Sequence, residues 1–394
     1  MEQMGIYFDH AATSFPKPES VYQAIEHTLR HVGGNPGRGS HKRALNASRL
    51  VFNAREKLAQ ILNIPDSSHI IFTLNATEAL NLALKGLLKD GDHVITSSLE
   101  HNSVLRPLRA LEQKRGVSKT IIPCTPEGFI DMEVLGKSLQ RNTRLMVLTH
   151  ASNVIGTIMP VEEISHLVHK RGVLLVLDAA QTVGTMPIDV GELGVDLLAA
   201  SGHKGLLGPQ GTGFLYIKEG LTLEPLFEGG TGSYSDYEEQ PPELPDRFES
   251  GTHNTPGIAG LGAGVEYLLK EGLGKVWQHK KMLTALALEA LKEVPGIQLY
   301  GPKEPEQQIS VISFNLAGHD PTSIGRSLDE EFDIQTRPGL HCAPLAHRAI
   351  GSFPLGTVRI SFGYFNTPAE IEYFISALIK IGCKGFKGSR IEGT

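Results

Sequence analysis

The stretch Val195 to Lys218, VDLLAASGHKGLLGPQGTGFLYIK, constrains the fold more than any other part of the chain. An apolar run ends in Ser201-Gly202-His203-Lys204, a glycine-rich loop follows, and a second apolar run covers Gly213 to Ile217. The pattern predicts strand, turn, strand, with Lys204 at the turn. A lysine between two buried strands carries a charge that is costly there unless a partner compensates it. Burial lowers its pKa, and a neutral amine is the form that attacks an aldehyde to give a Schiff base. A surface lysine in a Gly-rich turn is the competing reading. Upstream, Val173 to Gln181, VLLVLDAAQ, is a short continuous apolar run suited to a strand covered on both faces, and it leads into Asp178. An acid at the carboxyl end of a buried parallel strand sits where open α/β sheets bind ligands. A helix N-cap or a ribose-binding acid is the alternative for Asp178.

At 394 residues the chain is too long for one small core, so two lobes are expected. A formal charge of −6 without a basic cluster excludes a generic nucleic-acid surface, while local sites for small anions stay open. Three cysteines, Cys124, Cys342 and Cys383, lack CxxC spacing, which argues against a disulfide framework or a zinc site and for a reducing compartment. The first residues, MEQMGIYFDH, show no basic region followed by an apolar stretch, and no run approaches the ~18 apolar residues that cross a bilayer. A cytoplasmic protein with no membrane segment and no metal is expected. The tail KGFKGSRIEGT is polar and is expected to fray.

Ile6 to Phe8 reads as a short strand running into a turn, and Pro16 and Pro18 precede a helix from about Glu19 to His31. Gly33 to His41, GGNPGRGSH, is a glycine-rich loop carrying Arg38 and His41, or a plain linker between lobes. From Ala44 to Leu62 the residues Leu45, Leu50, Val51, Leu58, Ile61 and Leu62 recur at helical spacing. Ile70 to Thr73 is a strand, and Leu74 to Leu80 turns into the next helix. Such a turn aims free backbone N–H groups and the helix dipole at one spot, where a phosphate can rest. Thr77 either adds a hydroxyl donor there or serves as N-cap. His93 to Thr96 and Arg144 to His150 are further strands, the second leading into Asn153. His166 and His169 fall beside a helical stripe; no third ligand is evident, so they are expected to face solvent. Glu228 to Pro245 reads as a long loop. Helical patterns follow at Ile258 to Leu269 and Trp277 to Leu291, then a strand at Ile309 to Leu316.

A lysine to carry an aldehyde and a carboxylate to keep a ring nitrogen protonated are the two groups that pyridoxal 5'-phosphate needs. LDAAQTVG followed by SGHKGLLGPQGTGFLY resembles the cofactor core of the class V aminotransferase fold, and within it the type II cysteine desulfurases and selenocysteine lyases. The resemblance spans about Tyr7 to Pro368 with the motifs in order. It implies the PLP-dependent transferase fold type I. A large α/β domain with a mainly parallel seven-stranded sheet would occupy residues 15–261. A smaller α+β domain, from 1–14 and 262–394, would carry the cysteine loop. The resemblance implies Lys204 as the cofactor-bearing amine, Asp178 facing the ring nitrogen and His101 stacked on the ring. It implies Asn153 and Gln181 near the phenolic oxygen, and Ala76, Thr77, Ser201 and His203 at the phosphate. Thr252, within FESGTHNT, would reach the phosphate of the other subunit of a homodimer. Ala11, in a Y-x-D-x-A-A-T opening, and His41, in an N-x-x-R-x-x-H loop, would line the substrate's approach. His10, Ala76 and Pro338 depart from the family pattern.

Glu331 to Leu345 reads EFDIQTRPGLHCAPL. Pro338-Gly339 predicts a turn that holds Cys342 on a loop beside His341, a potential imidazolium that would favour the thiolate. A lone cysteine is otherwise a small buried hydrophobe. R-x-G-x-H-C-A resembles the type II desulfurase motif and implies Cys342 as nucleophile. Arg359, in Val358-Arg359-Ile360-Ser361, calls for an anion if buried, and its fork suits an α-carboxylate or an internal salt bridge. The resemblance of V-R-x-S to a carboxylate-binding element implies the former. Together these imply an enzyme converting L-cysteine to L-alanine, with sulfur held on Cys342 as a persulfide and passed to an acceptor protein. A selenocysteine lyase is the near alternative. A C–S lyase or aminotransferase on the same fold needs no reactive thiol, and a non-catalytic sulfur-relay scaffold would not need Asp178, His203, Lys204 and Arg359.

Overall fold

The computed structural model describes residues 5–37 and 39–385. Arg38, the first four residues and most of the tail expected to fray lie outside the described residues. Seven strands build the large sheet in the order β2 (Ile70–Thr73), β8 (Gly213–Ile217), β7 (Leu197–Ser201), β6 (Leu174–Asp178), β5 (Thr143–Thr149), β3 (His93–Ser97) and β4 (Ser118–Ile122). From β7 to β4 neighbouring strands run parallel, while β8 is antiparallel to both β7 and β2. This is the mainly parallel seven-stranded sheet expected. Every residue of β3, β7 and β8 is buried. Apolar layers cover both faces, one including Ile95, Leu148 and Leu198 and the other Leu84, Val147 and Val176. Covering on both faces is why these strands read as unbroken apolar runs. β4, SKTII, lies at the sheet edge and is only partly covered, and its sequence carries no such run.

The strand–turn–strand around Lys204 is the antiparallel pair β7–β8, with Ser201 opposite Gly213. A Cβ at position 213 would lie 2.6 Å from the Cα of Asn75, so only glycine fits. That close approach brings the start of helix Ala76–Leu87 against the end of β7.

A second sheet is antiparallel, in the order β12 (Arg337–Gly339), β13 (Thr357–Ser361), β10 (Val311–Leu316) and β9 (Ile297–Tyr300). β1 (Ile6–Tyr7) pairs in parallel with β11 (Ile334–Gln335), tying the start of the chain to this lobe. Helices Leu273–Lys292, Pro321–Phe332 and Pro368–Gly385 share its core with Phe8, Phe314 and Phe362. Helix Thr255–Glu271 runs through position 261 and packs on helices Glu19–His27 and Lys42–Leu62.

Three local expectations change. The first helix is α-helical only over Glu19–His27, then widens into a π-type turn at Thr28–Val32 that ends at Gly33 in the left-handed region. Helix Lys42–Leu62 turns Ala44, Ala47, Val51, Ala54 and Leu58 inward while Leu45 is exposed, because its partner helix presents Gly262 close to Ala54. Pro338 lies not in a turn but on edge strand β12, opposite Val358. An edge strand tolerates a residue with no N–H to donate.

Candidate active site

A cleft of about 330 Å³ opens beyond the carboxyl ends of β5, β6 and β7. Asp178 ends β6, and Lys204 follows β7 by one short turn. Lys204 is enclosed by protein and open toward the cleft, and burial lowers its amine to about 8 against the opposing pull of the Asp178 carboxylate. Asp178 is buried and accepts the Ala180 N–H at 3.0 Å; burial raises its carboxyl, with Lys204 acting the other way. No ion pair within 4 Å joins the two, and both line the cleft.

One end of the cleft is rich in donors. Asn75 caps helix Ala76–Leu87 by accepting the Glu78 N–H, and the Ala76 N–H points to Ser201 Oγ at 3.3 Å. First-turn N–H groups of a helix lack intrahelical partners and suit an anion. Thr77 and Ser103 pair their hydroxyls at 2.7 Å beside this turn, and the His203 ring rests on Thr13 Oγ1 at 3.1 Å. His101 caps the next helix: its Nδ1 accepts the Ser103 N–H at 3.0 Å. Burial, reinforced by the nearby Lys204 charge, lowers the His101 imidazole to about 4, so it is neutral at physiological pH. Behind it Glu100 is fully buried, with Oε1 accepting from Ser97 Oγ at 2.6 Å and from the Thr149 N–H at 3.1 Å. Burial raises that carboxyl to about 8. Nothing in the local sequence marks Glu100, since an acid after a strand reads as an ordinary turn residue.

At the other end Arg359, on β13 and 2% exposed, donates to Asp9 Oδ1 at 2.7 Å and to the Asn153 carbonyl at 3.0 Å. Arg337 approaches the same carboxylate at 3.6 Å. The internal salt bridge considered for Arg359 therefore forms, with a partner from the opposite end of the chain, and the arginine still lines the cleft. Asn153 donates to the His341 carbonyl at 2.8 Å, which ties β5's loop to the cysteine loop. His341 and Cys342 both adopt left-handed backbone, at φ 50° and 56°. Such conformations are strained for residues with a Cβ and persist where the surroundings hold them. Cys342 is exposed and lies on the cleft wall. The expectation of an imidazolium beside it is corrected: His341 is buried, contacts the Arg337 carbonyl and His347, and burial holds its pKa well below the usual value. Cys124 is partly buried, and burial pushes its thiol up.

Ala11, Ala76, Thr77, His101, Asn153, Asp178, Gln181, Ser201, His203, Lys204, Cys342 and Arg359 all line this one cleft. Gln181 donates to the Ala11 carbonyl at 3.0 Å. His41 and Thr252 do not join them: His41 is exposed and caps helix Lys42–Leu62, and Thr252 is exposed before helix Thr255–Glu271. His166 is exposed as expected, whereas His169 turns inward to Asp196 Oδ2 at 2.8 Å. Among the described residues no cluster of three or more His, Cys, Asp or Glu could hold a metal, and no helix is long and apolar enough to cross a membrane.

Residues 6–374 match the family model described as aminotransferase class-V. The chain is 36% identical over 387 residues to a probable cysteine desulfurase of Methanothermobacter thermautotrophicus, covering 96% of this chain and 95% of the relative. It is 35% identical to a cysteine desulfurase of Salmonella agona, over 95% and 93% of the two chains. Among solved structures, an apo cysteine desulfurase from Thermococcus onnurineus NA1 superposes with a TM-score of 0.91 at 34% identity, covering 96% and 95%. The cysteine desulfurase CsdA (S-sulfonic acid) from Escherichia coli gives 0.86 at 29%, covering 98% and 96%.

Proposed function

Because the chain belongs to the class-V aminotransferase family, we propose that it is a pyridoxal 5'-phosphate-dependent cysteine desulfurase that converts L-cysteine to L-alanine and takes the sulfur onto Cys342. The observation that carries this reading is an exposed thiol on the wall of the same cleft as an enclosed amine and a buried carboxylate. The donor set fits the cofactor. Asp178 would face the ring nitrogen, with neutral His101 against the ring. Asn153 and Gln181 would offer amides to the phenolic oxygen. Thr77, Ser201, His203 and the helix turn at Ala76 would hold the phosphate. When bound, the cofactor supplies the aldehyde that joins Lys204 and a protonated ring that stores the electron pair left by the departing Cα proton.

The rest falls to the chain's own residues. Arg359, steadied by Asp9, has an Nε without a partner and would bind the substrate α-carboxylate. The Lys204 amine, lowered to about 8, is matched to taking and returning a proton near neutral pH. The Cys342 thiolate attacks the substrate sulfur: an S–S bond forms, the Cβ–S bond breaks with its electron pair going to carbon, and that carbon takes a proton to become the methyl of alanine. Cys342 is left as a persulfide, for which a thiol-bearing acceptor protein is the proposed outlet. His341, held neutral by burial, places no positive charge beside the exposed Cys342.

Thr252, exposed outside the cleft, would serve the phosphate of the second copy in a homodimer, as the family resemblance implies. We keep the division into residues 15–261 and 1–14 with 262–394, and a reducing, cytoplasmic setting, as part of the same proposal. Replacing Cys342 with Ala tests the central step. Alanine release from L-cysteine with a reductant should fall by about 10³-fold or more while the cofactor's visible absorption persists. Unchanged alanine release would refute the role of Cys342, and pyruvate as product would favour a C–S lyase. Relative rates on L-cysteine and L-selenocysteine fix the preferred substrate.

A further inference from the structure

Lys204 separates the cleft from a second, much smaller cavity of about 30 Å³, and Ala11 and Gln181 also line both. The wall of the small cavity carries Lys280, from helix Leu273–Lys292, and His10, from the turn after β1; each is only 8% exposed. Lys280 Nζ donates to Thr185 Oγ1 at 3.2 Å and forms no ion pair among the described residues. Its neighbour Lys281, by contrast, reaches Glu306 at 2.8 Å. Both ring nitrogens of His10 are buried, and among the described residues neither makes a hydrogen bond of good geometry, the Tyr7 backbone and the Asn366 side chain being its polar neighbours. Among the described residues no aspartate or glutamate lines the cavity. Close by, Lys17 adds another amine, whose Nζ donates to the Ser14 carbonyl and hydroxyl.

A buried ammonium with unused donors is costly without a counter-charge. Here the wall supplies the Lys280 amine and an imidazole that burial and the Lys280 charge lower to about 3, a neutral N–H donor, and among the described residues no acid. A space of this size holds two or three water-sized particles, since a single water needs about 10–15 Å³, and it is too small for a whole amino-acid substrate or a phosphate ester. We propose that the cavity binds one small monovalent anion of halide size, held by Lys280 and His10. Because Lys204 and Gln181 also belong to the cleft, the bound anion places a negative charge beside the Lys204 amine and raises its proton affinity. The proposal does not depend on which reaction the cleft performs.

Bromide soaks of crystals of the full-length holoenzyme, read by anomalous scattering, test it directly. The expected result is a peak within hydrogen-bond distance of Lys280 Nζ, absent from Lys280→Met; a cavity holding only water overturns the proposal. In solution, raising potassium chloride should lift Tm by about 1–4 °C more than potassium gluconate does at equal ionic strength. Lys280→Met should lose that chloride-specific part, whereas Thr185→Val, which keeps the ammonium, should retain it. An equal response of the wild-type chain to both salts overturns the proposal even if Lys280→Met fails to fold.

Discussion

Lys204 and Lys280 stand on the wall of one small cavity, and burial lowers both amines to about 8, yet their surroundings suit opposite tasks. Lys204 also faces a cleft of about 330 Å³ with a buried carboxylate across it. Lys280 faces about 30 Å³ and a single threonine hydroxyl. A lowered amine pKa is therefore no mark of chemistry by itself. Room for a substrate and a fixed counter-charge are what set the surroundings of Lys204 apart from those of Lys280.

The largest effect expected from breaking this contrast is at Lys204. Lys204→Ala should lower alanine formation by at least about 10⁴-fold, whereas Lys280→Met should change it by less than about 10-fold. Parallel assays of alanine release check this, and similar losses in the two variants would erase the distinction. Asp178→Asn keeps the shape but removes the counter-charge, and kcat should drop by about 10²–10³-fold. A change within a few-fold would mean that the carboxylate does not tune the cleft. The smallest effect is on stability. The folded pKa of Lys280 lies below its unfolded value, so between about 8 and 10.5 the unfolded chain binds more protons and stability rises with pH. In halide-free buffer, Lys280→Met should remove a rise of up to about 3 kcal/mol over that window, measured from urea unfolding midpoints. An identical pH slope in both proteins would place Lys280 in water.

How much of the molecule could be read from the chain depends on how local each cause is. The strands β6, β7 and β8 were legible because two covered faces demand unbroken apolar runs, and Asp178 and Lys204 stand out where those runs stop. Edge strand β4 was not, since one open side leaves a mixed composition. At the candidate site, the residue types along the cleft were visible one by one, while their partners were hidden by distance in sequence. Asp9 meets Arg359 from 350 positions away, and Glu100 becomes a buried acid only once Thr149 lies over it.

By itself the sequence determined the sheet's central strands and set the candidate amine, acid, thiol and guanidinium in motifs that resemble those of a known family, since runs and motifs are local. Tertiary structure alone decided that His341 turns inward and stays neutral, that Pro338 lies on an edge strand, and that Lys280 is enclosed with no carboxylate partner among the described residues. Those outcomes depend on dielectric and counter-charge, and both are set by segments far apart in the chain that meet only when it folds.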